Sequence, residues 1–226
     1  MLSAIIVAAG SSRRMGFDKL LESIAGKPVI AHTIDAFERS KAVTEIVVVV
    51  REDRLPEFEK ALGPSKKVRK LTAGGEHRQD SVRAGLRHLG ESVQYVAVHD
   101  AARPLVTPEQ IEGVFEECRA HGAAALAEPI IDTLKRADEN LYVTHSVDRH
   151  QLYAMQTPQI FERAVLEEAY RTILEQKISV TDEVSAVERL GRKVILVPNE
   201  DFNFKITYRR DLQLAEFILQ QRLGSA

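Results

Sequence analysis

The amino-acid sequence predicts an α/β fold in which helices flank a mostly parallel sheet, and three patterns lead to it. Residues Leu2 to Ala9 form an apolar run that breaks at Gly10 into small and cationic residues, as a buried strand does when it ends in an anion-binding loop. Downstream, short β-branched runs alternate with stretches of helical hydrophobic spacing, the rhythm of βαβ units. Polar residues gather where several of these runs end, the edge at which open α/β sheets hold ligands. A chain of 226 residues is long for one average domain and short for two, so one domain over residues 1–226 with an appendage is the simplest organisation.

Taken in order, Gly26-Lys27-Pro28 punctuates the chain after the first loop, and Val29 to Arg39 carries Ile30, Ile34 and Phe37 at helical spacing. Glu45 to Val50 is rich in β-branched residues, as a central parallel strand would be. Leu55 to Leu62 reads as a short helix and Val68 to Leu71 as a short strand; Gly74-Gly75 then opens a second loop before a helix from about Asp80 to Leu89. Tyr95 to Val98 is another buried strand, ending at His99-Asp100-Ala101-Ala102-Arg103-Pro104. Thr107-Pro108-Glu109-Gln110 starts a helix to about His121, with Thr107 as N-cap, Pro108 at the first helical position and Gln110 closing a capping box.

From Ala123 to Phe161 the rhythm lapses. Ala123 to Ala127 reads as a strand, while Thr133 to Lys135 and Tyr142 to His145 are short strand-like runs around the turn signal Asp138-Glu139-Asn140. A hairpin this polar has little core of its own and is marginal in water. The arm, at about residues 129–150, is therefore expected to pack on something else, another subunit included. Gln156-Thr157-Pro158-Gln159 ends the excursion and Glu162 to Leu174 resumes helical spacing. Thr181 is expected to cap a helix to about Leu190, Val194 to Val197 is a last strand, and a helix from about Arg210 to Leu223 closes the chain.

A formal net charge of −2 argues against a protein that coats nucleic acid or lies on a membrane, since both need a broad basic patch. The cations near the N-terminus are local and suit a small anionic substrate. Cys118, the single cysteine, has no partner for an internal disulfide or a metal cluster and reads as a buried helical thiol. The N-terminus lacks the pattern of a signal peptide and no apolar run approaches a membrane span, so the cytoplasm is the expected compartment.

In the first loop, Gly10, Ser11, Ser12 and Gly16 let main-chain N–H groups approach phosphate oxygens, and Arg13, Arg14 and Lys19 add positive charge. The spacing fits neither the P-loop nor the dinucleotide fingerprint. On its own the stretch could still be a surface loop with solvated arginines. Four further clusters converge on strand ends: Gly74 to Ser81, Asp100 to Arg103, Thr181-Asp182, and Lys205. Each has a plain alternative, a tight turn for Gly74-Gly75, a structural carboxylate for Asp100, and a snorkelling side chain for Lys205. The histidines show no metal-ligand spacing and no G-x-S-x-G element is present, so nothing points to covalent catalysis.

The succession Ala8-Ala9-Gly10-Ser11-Ser12-Arg13-Arg14-Met15-Gly16, His99-Asp100-Ala101-Ala102-Arg103-Pro104, Val147-Asp148-Arg149, Gln156-Thr157-Pro158-Gln159, Thr181-Asp182-Glu183 and Phe204-Lys205-Ile206-Thr207 resembles the 2-C-methyl-D-erythritol 4-phosphate cytidylyltransferases of isoprenoid biosynthesis, in order along the chain. The resemblance implies a Rossmann-like nucleotidyltransferase fold with a protruding β-arm. It also implies transfer of CMP from CTP to a small sugar-alcohol phosphate, with Mg²⁺ or another divalent cation. By that likeness Arg14 and Lys19 are the catalytic pair; Ala8, Ala9, Gly10, Ser11, Ser12, Arg13, Gly75, Ser81 and Ala101 hold the nucleotide; and Asp100, Arg103, Thr157, Thr181 and Lys205 position the second substrate. Thr133 and Arg149 match arm residues that reach a partner's site, which implies a homodimer. The loop ending Gly16-Phe17-Asp18-Lys19-Leu20 is shorter than the family's, leaving Lys19 as the only lysine able to take its catalytic role. The alternatives are ribitol 5-phosphate cytidylyltransferase and a nucleotide-binding module without activity.

Overall fold

A computed structural model of the chain describes residues 1–10 and 15–224. Strand β1 (Leu2–Ala8) is followed by a small hairpin, β2 (Ser23–Ile24) and β3 (Lys27–Pro28), and by helix α1 (Val29–Arg39). Then come β4 (Val43–Val50), α2 (Leu55–Leu62), β5 (Val68–Ala73), α3 (Arg78–Leu86), β6 (Tyr95–Asp100) and α4 (Pro108–His121). The second half holds β7 (Ala123–Pro129), β8 (Leu134–Ala137), β9 (Val143–Val147), β10 (Tyr153–Glu162), α5 (Arg163–Glu175), α6 (Glu183–Glu188), β11 (Ile195–Pro198) and α7 (Arg209–Gly224).

The central sheet runs in the order β11-β7-β10-β6-β1-β4-β5. All neighbouring pairs are parallel except those of β10, which lies antiparallel between β6 and β7. Alternation along β4 explains why both faces are covered: Ile46, Val48 and Val50 belong to one core, Val47 and Val49 to the other. The first core packs against α1, α4 and α7 through Ile30, Phe37, Val114 and Ile218. Val82 of α3, Leu166 and Ile173 of α5 and Val187 of α6 complete the second. Cys118 is buried in α4, and burial pushes its thiol up to about 12.

Several expectations need correction. Residues 156–159 lie inside β10 rather than ending an excursion. Buried polar side chains and Pro158 hide the strand, and its register slips between Met155 and Gln159, where proline offers no ladder N–H. The cap of α6 is Asp182, whose Oδ1 accepts from the Ser185 N–H at 3.0 Å; Thr181 stands one residue too early. Helix α3 starts at Arg78, not Asp80, because Asp80 sits in the first turn and takes the His77 N–H. The arm strands are offset by a residue or two from the expected runs, since Asp138 Oδ1 collects the N–H groups of both Asn140 and Tyr142 and sets the turn.

Close packing of α3 on β1 depends on Gly85, where a Cβ would lie 2.6 Å from Cγ2 of the fully buried, β-branched Ile5. Gly85→Ala should cost about 1–3 kcal/mol despite alanine's better helix propensity, because neither partner can retreat. Urea unfolding measures this, and a neutral or stabilised variant would show that the contact relaxes freely.

Candidate active site

β1, β5 and β6 run parallel, so their C-terminal ends open on one edge of the sheet. A cavity of about 490 Å³ lies there. Its first wall comes from the end of β1, with Ala8, Ala9, Gly10 and Lys19; its second comes from the β5–α3 junction, with Gly75 and Ser81. Asp100, at the tip of β6, and Lys205 close it. Ala101 is buried beside it, its N–H donated to Val7 O at 3.0 Å. Ser11, Ser12, Arg13 and Arg14 lie outside the described residues.

The two glycines at the second wall serve close approach, not a left-handed turn. A Cβ on Gly74 would stand 2.5 Å from Ser81 Oγ and 2.9 Å from Ala9 Cβ, and one on Gly75 would stand 2.4 Å from Asp80 Cβ. Larger residues would therefore push the two walls apart.

Asp100 is the electrostatic centre. Its Oδ1 accepts from Nε and Nη2 of Arg78, both at 3.3 Å, and its Oδ2 accepts from Lys205 Nζ at 2.8 Å. Burial pushes its carboxyl up, but Arg78 foremost, then Lys205 and Arg103, more than reverse this and hold it well below the usual carboxylate range. Lys205 is thus an ion-pair partner of Asp100, with its side chain still 44% exposed.

Arg103 is set back from the cavity. Its Nη1 donates to Asn203 O at 2.7 Å and its Nη2 to Met155 O at 3.3 Å, so it clasps the C-terminal loop to β10; its Nε stands 4.0 Å from Asp100. Lys19 reaches the same loop, donating from Nζ to Ile206 O at 2.5 Å. The shortened first loop is therefore long enough to bring its ammonium to the cavity.

Thr157 is buried and bonded to the main chain of Asp100. The carbonyl of Arg103 can only accept, so His99 Nε2, 3.2 Å away, carries the proton and Nδ1 is an acceptor. The Thr157 hydroxyl then donates to Nδ1 at 3.0 Å while its oxygen accepts the Asp100 N–H at 3.1 Å. Burial holds the His99 ring down at about 3, although Asp100 opposes it.

The remaining expected residues are elsewhere in this chain. Thr181 lines a separate depression with Ser179, Ser185 and Arg189. Thr133 and Arg149 are exposed on the arm, where Arg149 Nη1 donates to Ile131 O. Arg78 and Glu183 were not singled out from the sequence. Arg78 lies inside the polar cluster after Gly75, but its partners are 22 and 105 residues away, beyond the reach of any spacing rule.

The cavity offers two carboxylates, Glu76 and Asp100, and both oxygens of Asp100 already face cations. No group of three or more His, Cys, Asp and Glu gathers for a metal among the described residues. The donor set does not form a metal cage, and no helix among the described residues is long and apolar enough to cross a membrane.

A sequence profile of the family IspD, 2-C-methyl-D-erythritol 4-phosphate cytidylyltransferase, matches residues 2–221. The chain belongs to this family. A curated member from Bacillus mycoides is 40% identical over 97% of this chain and 98% of its own length; one from Caldanaerobacter subterraneus is 40% identical over 97% and 99%. Among solved structures, 4-diphosphocytidyl-2C-methyl-D-erythritol synthase from Anaerococcus prevotii superposes with a TM-score of 0.85 at 31% identity, covering 97% of this chain and 96% of that one. The cytidylyltransferase from Thermus thermophilus gives 0.79 at 30% identity over 97% and 100%. The α/β nucleotidyltransferase-like fold and the transferase class both follow from this membership.

The His99 relay has a measurable consequence for the folded chain. The unfolded ring takes up a proton near 6.5 and the folded ring only near 3, so stability present above pH 6.5 falls as pH drops between those values. The slope approaches about 1.4 kcal/mol per pH unit. Urea unfolding at about pH 6 and pH 5, above the carboxylate range, should show this decline in the native chain and its loss in His99→Gln. Equal slopes would mean that the buried ring is protonated or exposed.

Proposed function

We propose that this protein transfers CMP from CTP to 2-C-methyl-D-erythritol 4-phosphate, releasing pyrophosphate. The observation that carries the reading is the Asp100 carboxylate, held between Arg78 and Lys205 at the tip of β6, which pairs beside the small-residue end of β1 in one cavity. A triphosphate fits the glycine-lined walls and the Lys19 side, where main-chain N–H groups and cations can take charge that grows on the leaving pyrophosphate. The second substrate fits the Asp100 and Lys205 side.

The substrate phosphate is itself the nucleophile and attacks the α-phosphorus in line, so no general base is needed; positioning and electrostatics supply the catalysis. In this reading Arg14 and Lys19 stabilise the transition state. Ala8, Ala9, Gly10, Ser11, Ser12, Arg13, Gly75, Ser81 and Ala101 hold CTP through close backbone contacts. Asp100 and Lys205 face the sugar phosphate, with Arg103 and Thr157 fixing the frame around Asp100. A divalent cation such as Mg²⁺ would be held mainly by the CTP phosphates, since it keeps several waters and needs few protein ligands, and would supply charge neutralisation there.

We also propose a homodimer assembled through the arm, in the cytoplasm. The arm leaves Ile131, Leu141, Tyr142 and Val143 between 64% and 84% exposed, an apolar surface that a hairpin without a core does not need for itself. Packing on a partner would cover it and carry Thr133 and Arg149 to the partner's site.

Purified protein given CTP, Mg²⁺ and methylerythritol phosphate should release pyrophosphate, with ribitol 5-phosphate a poor substitute. Equal rates on both, or turnover of ribitol phosphate alone, would overturn the assignment. Arg14→Ala should lower kcat by about a hundredfold while moving CTP affinity far less, the signature of a contact made in the transition state. Mixing Arg14→Ala with Arg149→Ala subunits should restore activity in hybrid dimers if one arm completes the other's site, and no recovery would place Arg149 within its own subunit.

A further inference from the structure

We propose that Arg78 is a positioning residue that sets the orientation of Asp100 toward the sugar phosphate, with the buried Glu183 as its anchor. The inference rests on the reading that Asp100 faces that substrate.

Arg78 is the first residue of α3 and itself lines the cavity after Gly75, Glu76 and His77. Its Nε and Nη2 both go to one oxygen of Asp100, which turns the other oxygen to Lys205. The guanidinium therefore decides which edge of the carboxylate is presented. Its far side is secured: Nη1 donates to Glu183 Oε1, and the Tyr170 hydroxyl donates to the same oxygen at 2.8 Å.

Glu183 is fully buried and does not line the cavity. Its main-chain N–H and that of Val184 both donate to Gln159 Oε1 at 3.1 Å, so β10 grips the start of α6. A buried carboxylate carries a desolvation cost that a neutral side chain of the same shape avoids, so as a mere strut the pair is a poor choice. It is a good choice where a planar fork must hold two carboxylates at fixed angles, which a lysine at position 78 could not do. The same charge supports the ionised form of Asp100, where Lys205 and Arg103 are the other cations and neutral His99 adds none.

The test separates positioning from stability. Arg78→Met combined with Glu183→Gln removes both charges of the pair together, while Asp100 keeps Lys205 and Arg103 as its cations. Glu183→Gln alone keeps an acceptor for Arg78. Melting temperature, kcat and both KM values are measured for each, with the native protein alongside. The double variant should stay folded but melt about 6–20 °C below the native protein, because Asp100 loses one of its cations, keep the KM for CTP within about threefold and raise the KM for methylerythritol phosphate more than about tenfold. Glu183→Gln should show the same selectivity with a rise of about threefold or more, and this arm decides if the double variant does not fold.

A folded variant with an unchanged KM for the sugar phosphate overturns the proposal and leaves the pair a structural strut. Equal rises in both KM values also overturn it, by making Arg78 a nucleotide contact. A native protein that releases no pyrophosphate from CTP and methylerythritol phosphate overturns the functional reading itself.

Discussion

The site is organised by one buried carboxylate. Asp100 ends a strand whose Val96, Ala97 and Val98 are fully buried, and an isolated charge in such surroundings would be neutralised or would unfold the edge around it. It persists because Arg78, Lys205 and Arg103 approach it from three separate segments, the start of α3, the C-terminal loop and the turn after β6. Removing one partner of such a group typically costs about 3–5 kcal/mol, mostly as the penalty on the charge left behind. The local fold and the local chemistry therefore share a constraint, because the segments must converge for Asp100 to stay ionised.

β10 makes that convergence possible. It is the one antiparallel strand of the central sheet, and it brings polar side chains between β6 and β7 where apolar ones would be expected. Thr157 completes the His99 relay beneath Asp100, and Gln159 holds the start of α6. Gln156 bonds Asn199, Asn203 and Glu128 together. These buried polar side chains are tied to one another, although Asn203 Oδ1 and Glu183 Oε2 take no hydrogen bond among the described residues, so the strand exchanges part of the hydrophobic contribution of its neighbours for a defined geometry under the site. The same strand leads out of the exposed arm, which links the arm directly to the floor of the cavity.

How much of this was legible follows from where the information lies. β1, β4 and β6 announce themselves through apolar and β-branched residues, and the capping box at Thr107 forms as its spacing predicts, Gln110 N donating to Thr107 Oγ1 and Thr107 N to Gln110 Oε1. The turn at Asp138 is equally local. β10 was missed because its buried face is polar and Pro158 argues against a strand wherever the ladder is unbroken. The Arg78–Glu183 pair was missed for a different reason. Its two residues belong to separate motifs, each plausible alone, and only the folded sheet joins them. The expected cap at Thr181 failed by one residue because Asp182 has the same capping chemistry and stands where the helix starts.

The C-terminal loop carries the last step of this logic. It is held at both ends of its active segment: Asn203 donates to Gln156 Oε1 and Thr157 O, and Ile206 donates its N–H to Ala102 O at 2.8 Å. Between these anchors Lys205 faces Asp100, while the carbonyl of the next residue, Ile206, receives Lys19. Two cations from opposite ends of the chain thus flank a single peptide. A neutral carbonyl holds an ammonium less strongly than an anionic phosphate does. By the same rule the hydrogen bond from Lys19 to this carbonyl is a weaker tie than the Lys205 contact, which is made to a buried carboxylate. In the proposed reading the same short loop meets the nucleotide-side cation through a carbonyl, while its own Lys205 meets a buried carboxylate on the substrate side.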